Sequence, residues 1–244
     1  MLKGTSNPTR VSRRARSQGA NGQGGFTLIE TSMATVIIGV GVLAMVDAQT
    51  SFIISNQWSS HAASATFLAN EIRELTRNLP KHDPVTGLSL LDDGDGNLVV
   101  SGWGADLNEV RVDDFDDIDD FDGITFSYIG SPGIDDNDLP GPINAFGEVI
   151  PALSHEGVEL GATDDELLFS GDAMYGWFQT ITVEKINPFD SSEVHPNGFL
   201  EAPDGTFPGR LVDEYPLRVS VLVFYQGAND IEADLVTTVS WIVP

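Results

Sequence analysis

The chain has 244 residues, with 37 Asp and Glu against 12 Lys and Arg, a net charge of −25, and no cysteine. Disulfides and Cys-based thiol or zinc chemistry are therefore excluded. Five of the basic residues, Lys3, Arg10, Arg13, Arg14 and Arg16, lie in the acid-free first 25 residues, so the remainder holds 7 basic residues, all 37 acids and a net charge near −30. Such a surface repels anionic headgroups and lacks the clustered Lys and Arg that phosphate binding draws on, so no direct contact with nucleic acid is expected.

From Phe26 to Val46 the chain carries no Lys, Arg, Asp or Pro. As a helix at about 1.5 Å per residue this run reaches roughly 32 Å, one bilayer core. Its one carboxylate, Glu30, stands near its start. A charge within a span costs at least about 2.5 kcal/mol at the centre and less near an end, so Glu30 reads as a functional group. The basic residues before the span predict an N-terminus kept inside, with the rest of the chain outside. Three plainer readings compete. An ordinary secretory signal cut after Ala48 would have too long an apolar run and a Glu within it. A twin-arginine signal at Arg13-Arg14 lacks apolar residues close behind the pair. A simple single-pass anchor would leave Glu30 idle near the interface.

The junction Gly25-Phe26-Thr27-Leu28-Ile29-Glu30 resembles, letter for letter, the processing site of type IV pilins and pseudopilins. The resemblance covers residues 24–47 closely and extends loosely to Pro80. It implies that a prepilin peptidase cuts between Gly25 and Phe26 and methylates the new Phe26 amine. It further implies that Glu30 sets subunit register by attracting the N-terminal amine of a neighbour already in a filament. Opposite charges in a low-dielectric helix bundle attract strongly, and pairing offsets the cost of burying each.

Beyond the span a helical pattern continues through Phe52, Trp58, Ala65, Leu68, Ile72, Leu75 and Leu79 until Pro80 stops it. Unbroken from Phe26 to Leu79, this helix would be roughly 80 Å long. Its second half is expected to lay the apolar stripe on a sheet. Gly39 and Gly41 weaken helix propensity within the span, and suit either a local bend or close helix packing. Asp47 marks the span's outer edge.

After Pro80 the chain turns acidic. Asp92, Asp93 and Asp95 sit among glycines, and seven of the ten residues from Asp113 to Asp122 are Asp, including Asp117, Asp119, Asp120 and Asp122. Acidic loops with Gly and Asn suit calcium, which takes several oxygen ligands, although neither segment fits an EF-hand. The plainer expectation is a solvated loop pinned to the core by Phe115, Ile118 and Phe121.

Strands are predicted over 123–129, 167–169, 178–186, 217–225 and 236–243 from their Val, Ile, Thr and aromatic content, the last two as a hairpin joined by 226–234. The Pro- and Gly-rich stretches 130–163 and 187–208 read as surface excursions. His61, His82, His155 and His195 are scattered and no catalytic motif surrounds them, so no enzyme activity is expected.

The expected fold class is α+β. A basic leader (1–25) precedes a long helix (26–80), transmembrane over 26–46, and then an extracytoplasmic head (81–244) built on an antiparallel sheet. The expected role is a structural subunit, a minor pilin or pseudopilin of a type IV pilus or type II secretion system. It would sit in the inner membrane before assembly, partnered by prepilin peptidase and sister subunits and indirectly by an assembly platform and its ATPase. A membrane-anchored adhesion module bearing the same leader is the second reading.

Overall fold

The computed structural model describes residues 25–95, 98–106, 109–131, 133, 137–151 and 173–244. The chain divides into two compact units, 1–53 and 54–244. In the first unit helix α1 (Leu28–Leu75) begins, and its side chains are exposed throughout, including Leu28, Ile37 and Val46. This helix is long and apolar enough to cross a membrane. It runs without interruption through Gly39 and Gly41, where a Cβ would meet no neighbour.

In the second unit α1 continues and becomes amphipathic. Ala65, Leu68, Ala69 and Ile72 are fully buried, on the i, i+3, i+4, i+7 spacing of one helical face. The stripe starts later than the sequence suggests, since Phe52 is 73% and Trp58 56% exposed. A short 3-10 turn (Thr76–Asn78) tightens the end of the helix before Pro80. Helix and head belong to the α+β class.

The buried face of α1 lies on a six-stranded mixed sheet in which β4 (Asp138–Pro140), β3 (Thr125–Ser127), β5 (Trp177–Asn187), β7 (Leu217–Tyr225) and β8 (Asp234–Val243) follow in that order. The sixth strand, β6 (Asp190–His195), pairs with the far end of β5. All pairings are antiparallel except β3 with β4, which is parallel. Strands β5 and β7 alternate over most of their length: Trp177, Ile181, Val183, Leu217, Val219, Val221 and Val223 point into the core, while Thr180, Thr182 and Ser220 are half-exposed on the other face. A separate hairpin, β1 (Ser89–Asp92) with β2 (Leu98–Ser101), stands apart from this sheet.

Most expected strands are found, β7 with identical ends. The expected 123–129 strand shrinks to Thr125–Ser127: Gly123 takes a positive φ of 79°, and a turn starts at Ser127, whose carbonyl accepts from the Gly130 amide at 3.1 Å. The expected strand at 167–169 lies outside the described residues. Among the described residues the excursions hold two strands that sequence reading leaves as loops. Strand β4 is three residues long, and β6 is a polar strand with no apolar alternation.

Candidate functional site

Two places gather the residues singled out in the sequence. The first is the start of α1. Thr27 Oγ1 accepts from the Glu30 amide at 3.3 Å, and Glu30 Oε2 accepts from the Thr27 amide at 3.2 Å and its hydroxyl at 3.3 Å. This is a reciprocal capping box, Thr at the cap and Glu three residues on. It satisfies backbone N–H groups that a helix end otherwise leaves without partners, and places a carboxylate where the helix dipole favours it. The Thr-x-x-Glu spacing is plain in the sequence, yet the capping role is missed when Glu30 is read only as a charge in a membrane span. Gly25 and Phe26 precede the helix and are exposed, Phe26 by 83%.

The second place is the acidic run. Phe115, Ile118 and Phe121 are buried in the core, with the two phenylalanine rings edge to face at 5.0 Å, so the expected pinning is present. Pinning carries neighbouring carboxylates inside too: Asp117, Asp119 and Asp120 are at most 2% exposed, and one carboxylate oxygen from each lies within 4.8 Å of the others. Several of their oxygens accept from backbone amides. Asp117 Oδ1 accepts from the amides of Asp119 (2.8 Å) and Asp120 (3.2 Å). Asp120 Oδ2 accepts from those of Asp116 (3.0 Å) and Asp117 (3.1 Å). Asp119 accepts from the Gly104 amide at 3.2 Å and meets His82 Nδ1 at 2.5 Å.

Burial, a hydrogen bond to Asp119 and that residue's charge push Asp117 up to about 8. Burial likewise pushes Asp119 and Asp120 up to about 7. Burial, with Lys81 nearby, pushes His82 down to about 4. Charged carboxyls so close in a dry site repel, and protons relieve the repulsion. Calcium takes six to eight oxygen ligands, and one oxygen of each carboxylate is already accepting from backbone amides.

The other predicted ligands stand elsewhere. Asp122 clamps the loop to the sheet, accepting from Trp103 Nε1 at 3.0 Å and the Val183 amide at 2.9 Å. Asp92 and Asp93 shape the β1–β2 turn by accepting from the amides of Gly94 and Asp95, each at 2.8 Å. Asp92, Asp93 and Asp95 join no metal-capable group among the described residues.

Sequence reading misses two buried polar side chains on β5. Gln179 on β5 donates to the carbonyls of Leu68 (2.9 Å) and Ile143 (3.1 Å) and accepts from the Ile143 amide at 2.7 Å, tying α1 to the sheet. Lys185, fully buried, donates to the carbonyls of Asn197 and Val212, and burial lowers it to about 8. Both occupy inward positions of an alternating strand, which is the only signal the sequence offers for them. Of the histidines, His61 packs on Trp177 and Tyr225, His195 stacks on Phe199 at 4.0 Å, and His155 lies outside the described residues.

Comparison with known proteins gives no match to a family model, a curated protein or a solved structure. The structure itself establishes a long, apolar N-terminal helix on a β domain, an architecture that fits a pilin.

Proposed function

We propose that the chain is a structural subunit of the pilin or pseudopilin kind, cut between Gly25 and Phe26, methylated at Phe26 and assembled through α1. The observation that carries this reading is the contrast along one helix. Its first part, Leu28 to Val46, is wholly exposed and carries no charge but Glu30, while its second half buries Ala65, Leu68, Ala69 and Ile72 in the head. An apolar surface of that length needs lipid or sister helices around it. The head has a core of its own and does no chemistry in this reading; it is displayed. A head of this size suits a minor subunit, with prepilin peptidase, sister subunits, a membrane platform and its ATPase as partners.

The capping box refines the role of Glu30. The carboxylate holds its own helix start until a neighbour's Phe26 amine competes for it. Replacing Glu30 by Gln keeps the cap, since Gln serves in a capping box, and removes the charge. Replacing it by Ala removes both. Glu30→Gln and Glu30→Ala are expected to be cleaved normally and to incorporate into filaments equally poorly. Normal incorporation of Glu30→Gln would reduce Glu30 to a cap. The deciding measurement for the reading as a whole is the mass and N-terminal sequence of the protein from its native membrane. An N-methylated Phe26 is expected, and a start at Gln49 would overturn the proposal.

A further inference from the structure

The bond that the proposed processing would cut, Gly25–Phe26, lies just ahead of α1. In the uncut chain residues 25–27 are not helical, and the first bond of the helix runs from the Thr31 amide to the Thr27 carbonyl at 3.2 Å. Thr27 is therefore the cap, and its Oγ1 accepts from the Glu30 amide at 3.3 Å, which fixes where the helix begins. Two features leave the backbone ahead of the cap bare. An apolar residue in the place of Phe26 often staples to the fourth helical residue. Here that residue is Thr31, whose hydroxyl donates to the Leu28 carbonyl at 2.9 Å, and the Phe26 ring stays exposed. At Gly25 a Cβ would meet nothing within 4 Å.

We propose that Thr27 is a positioning residue for cleavage: its cap stops α1 short of the Gly25–Phe26 bond and presents that bond to the prepilin peptidase as exposed, non-helical backbone. The inference rests on the reading of the chain as a prepilin. A peptide bond wound into a helix turns its N–H and C=O toward its own chain, whereas a segment held by another protein through its main chain needs those groups free. The helix start supplies that freedom only while it keeps a fixed distance from the bond. Without the cap the start shifts, by fraying past Thr31 or by winding back through Phe26, and either movement displaces the bond from the place where the helix delivers it. The Thr27 hydroxyl sets this boundary, because its donor is the main chain of Glu30 and not the carboxylate. The carboxylate reaches back to the Thr27 amide and hydroxyl, and so secures the cap without placing it. The two halves of the box thus divide the work: Thr27 serves the cut, Glu30 the later assembly.

The test is a pulse–chase of the full-length chain in its own cells, reading the rate at which precursor is converted and, by N-terminal sequencing, where it is cut. Thr27→Ala is expected to be cut about fivefold more slowly, the rate equivalent of one typical cap. Thr27→Val keeps the branched shape, loses the hydroxyl and is expected to match it. Thr27→Ser and Thr27→Asn, both good caps, should be cut at close to the parent's rate, and so should Glu30→Ala, which retains the cap. Rates that follow shape instead, with Thr27→Val fast and Thr27→Asn slow, would overturn the proposal, as would equal rates throughout. Amide exchange over 26–31 of the uncut precursor in detergent reads the boundary directly. Its pattern is expected to change in Thr27→Ala and to persist in Thr27→Ser; a slowly cut Thr27→Ala with an unchanged pattern would mean that the peptidase reads the side chain itself, against the proposal. A parent that starts at Gln49 would remove the prepilin reading and this inference together, whereas a parent cut after Gly25 at a rate indifferent to Thr27 would remove this inference alone.

Discussion

Raising the pH from 5 to 7 is expected to destabilise the head, against the usual behaviour of buried carboxylates held by positive partners. Asp117 and Asp120 have folded pKa values of about 8 and 7, raised above the ordinary 3.8. Stability gained from a raised pKa is fully present below the unfolded value and is lost as pH climbs through the folded one. Asp119, raised to about 7, keeps a proton in this window while His82, lowered to about 4, has none, which largely offsets the proton an unfolded histidine binds below about 6.5. A surplus of one proton in the folded state costs about 1.4 kcal/mol of stability per pH unit, and two would double it. With one, the loss over this window is roughly 3 kcal/mol, or roughly 5–10 °C in melting temperature for a domain of this size. The assay is thermal melting followed by near-ultraviolet circular dichroism, to which buried Trp177 and the Asp122-bonded Trp103 contribute. Asp120→Asn keeps an oxygen for the Asp116 and Asp117 amides while removing the titration, so it should flatten the profile and melt above the parent at pH 8. A melting temperature that is flat or rises between pH 5 and 7 would refute the picture of proton-neutralised carboxyls.

If protons do this neutralising, calcium should add little at pH 6. A ligand at about 100 times its Kd stabilises by about 2.7 kcal/mol, so a rise of several degrees between chelator and about 1 mM calcium would show a cation taking the protons' place. Gln179→Leu should cost about 2–4 kcal/mol in denaturant unfolding, because it strands the buried Ile143 amide and carbonyl; a loss under about 1 kcal/mol would mean that the loop relaxes to find other partners. Ile72→Ala should cost about 2–5 kcal/mol. Trp58→Ala, on the same helix but half-exposed, should stay within about 0.5 kcal/mol.

Periodicity made the fold largely legible. The 3, 4 spacing from Ala65 to Leu79 and the Val-rich alternation of β5 and β7 are strong signals because each element buries one face. Strand β6 was illegible for the opposite reason: Asp-Ser-Ser-Glu-Val-His lies exposed at an edge and buries nothing that would leave a pattern. At the helix start, the residues were found but the local role of Glu30 was not, since the membrane cost drew attention from the Thr27 spacing. In the acidic run the error was one of burial. Seven Asp in ten residues read as solvated, yet three aromatic and aliphatic anchors at spacing three draw the intervening carboxylates inside. Gln179 and Lys185 show the limit of pattern reading, because their partners are backbone carbonyls and amides far along the chain.

The second half of α1 meets the sheet through small and medium side chains, Ala65, Leu68, Ala69 and Ile72, reinforced by the Gln179 amide on the Leu68 carbonyl. Tension applied along this helix loads all of these contacts at once, in shear, rather than opening them one at a time. Resistance to such tension is a matter of unfolding rate rather than equilibrium stability. With no cysteine to form a disulfide, the grip of one helical face would decide how well the head resists a pull along α1.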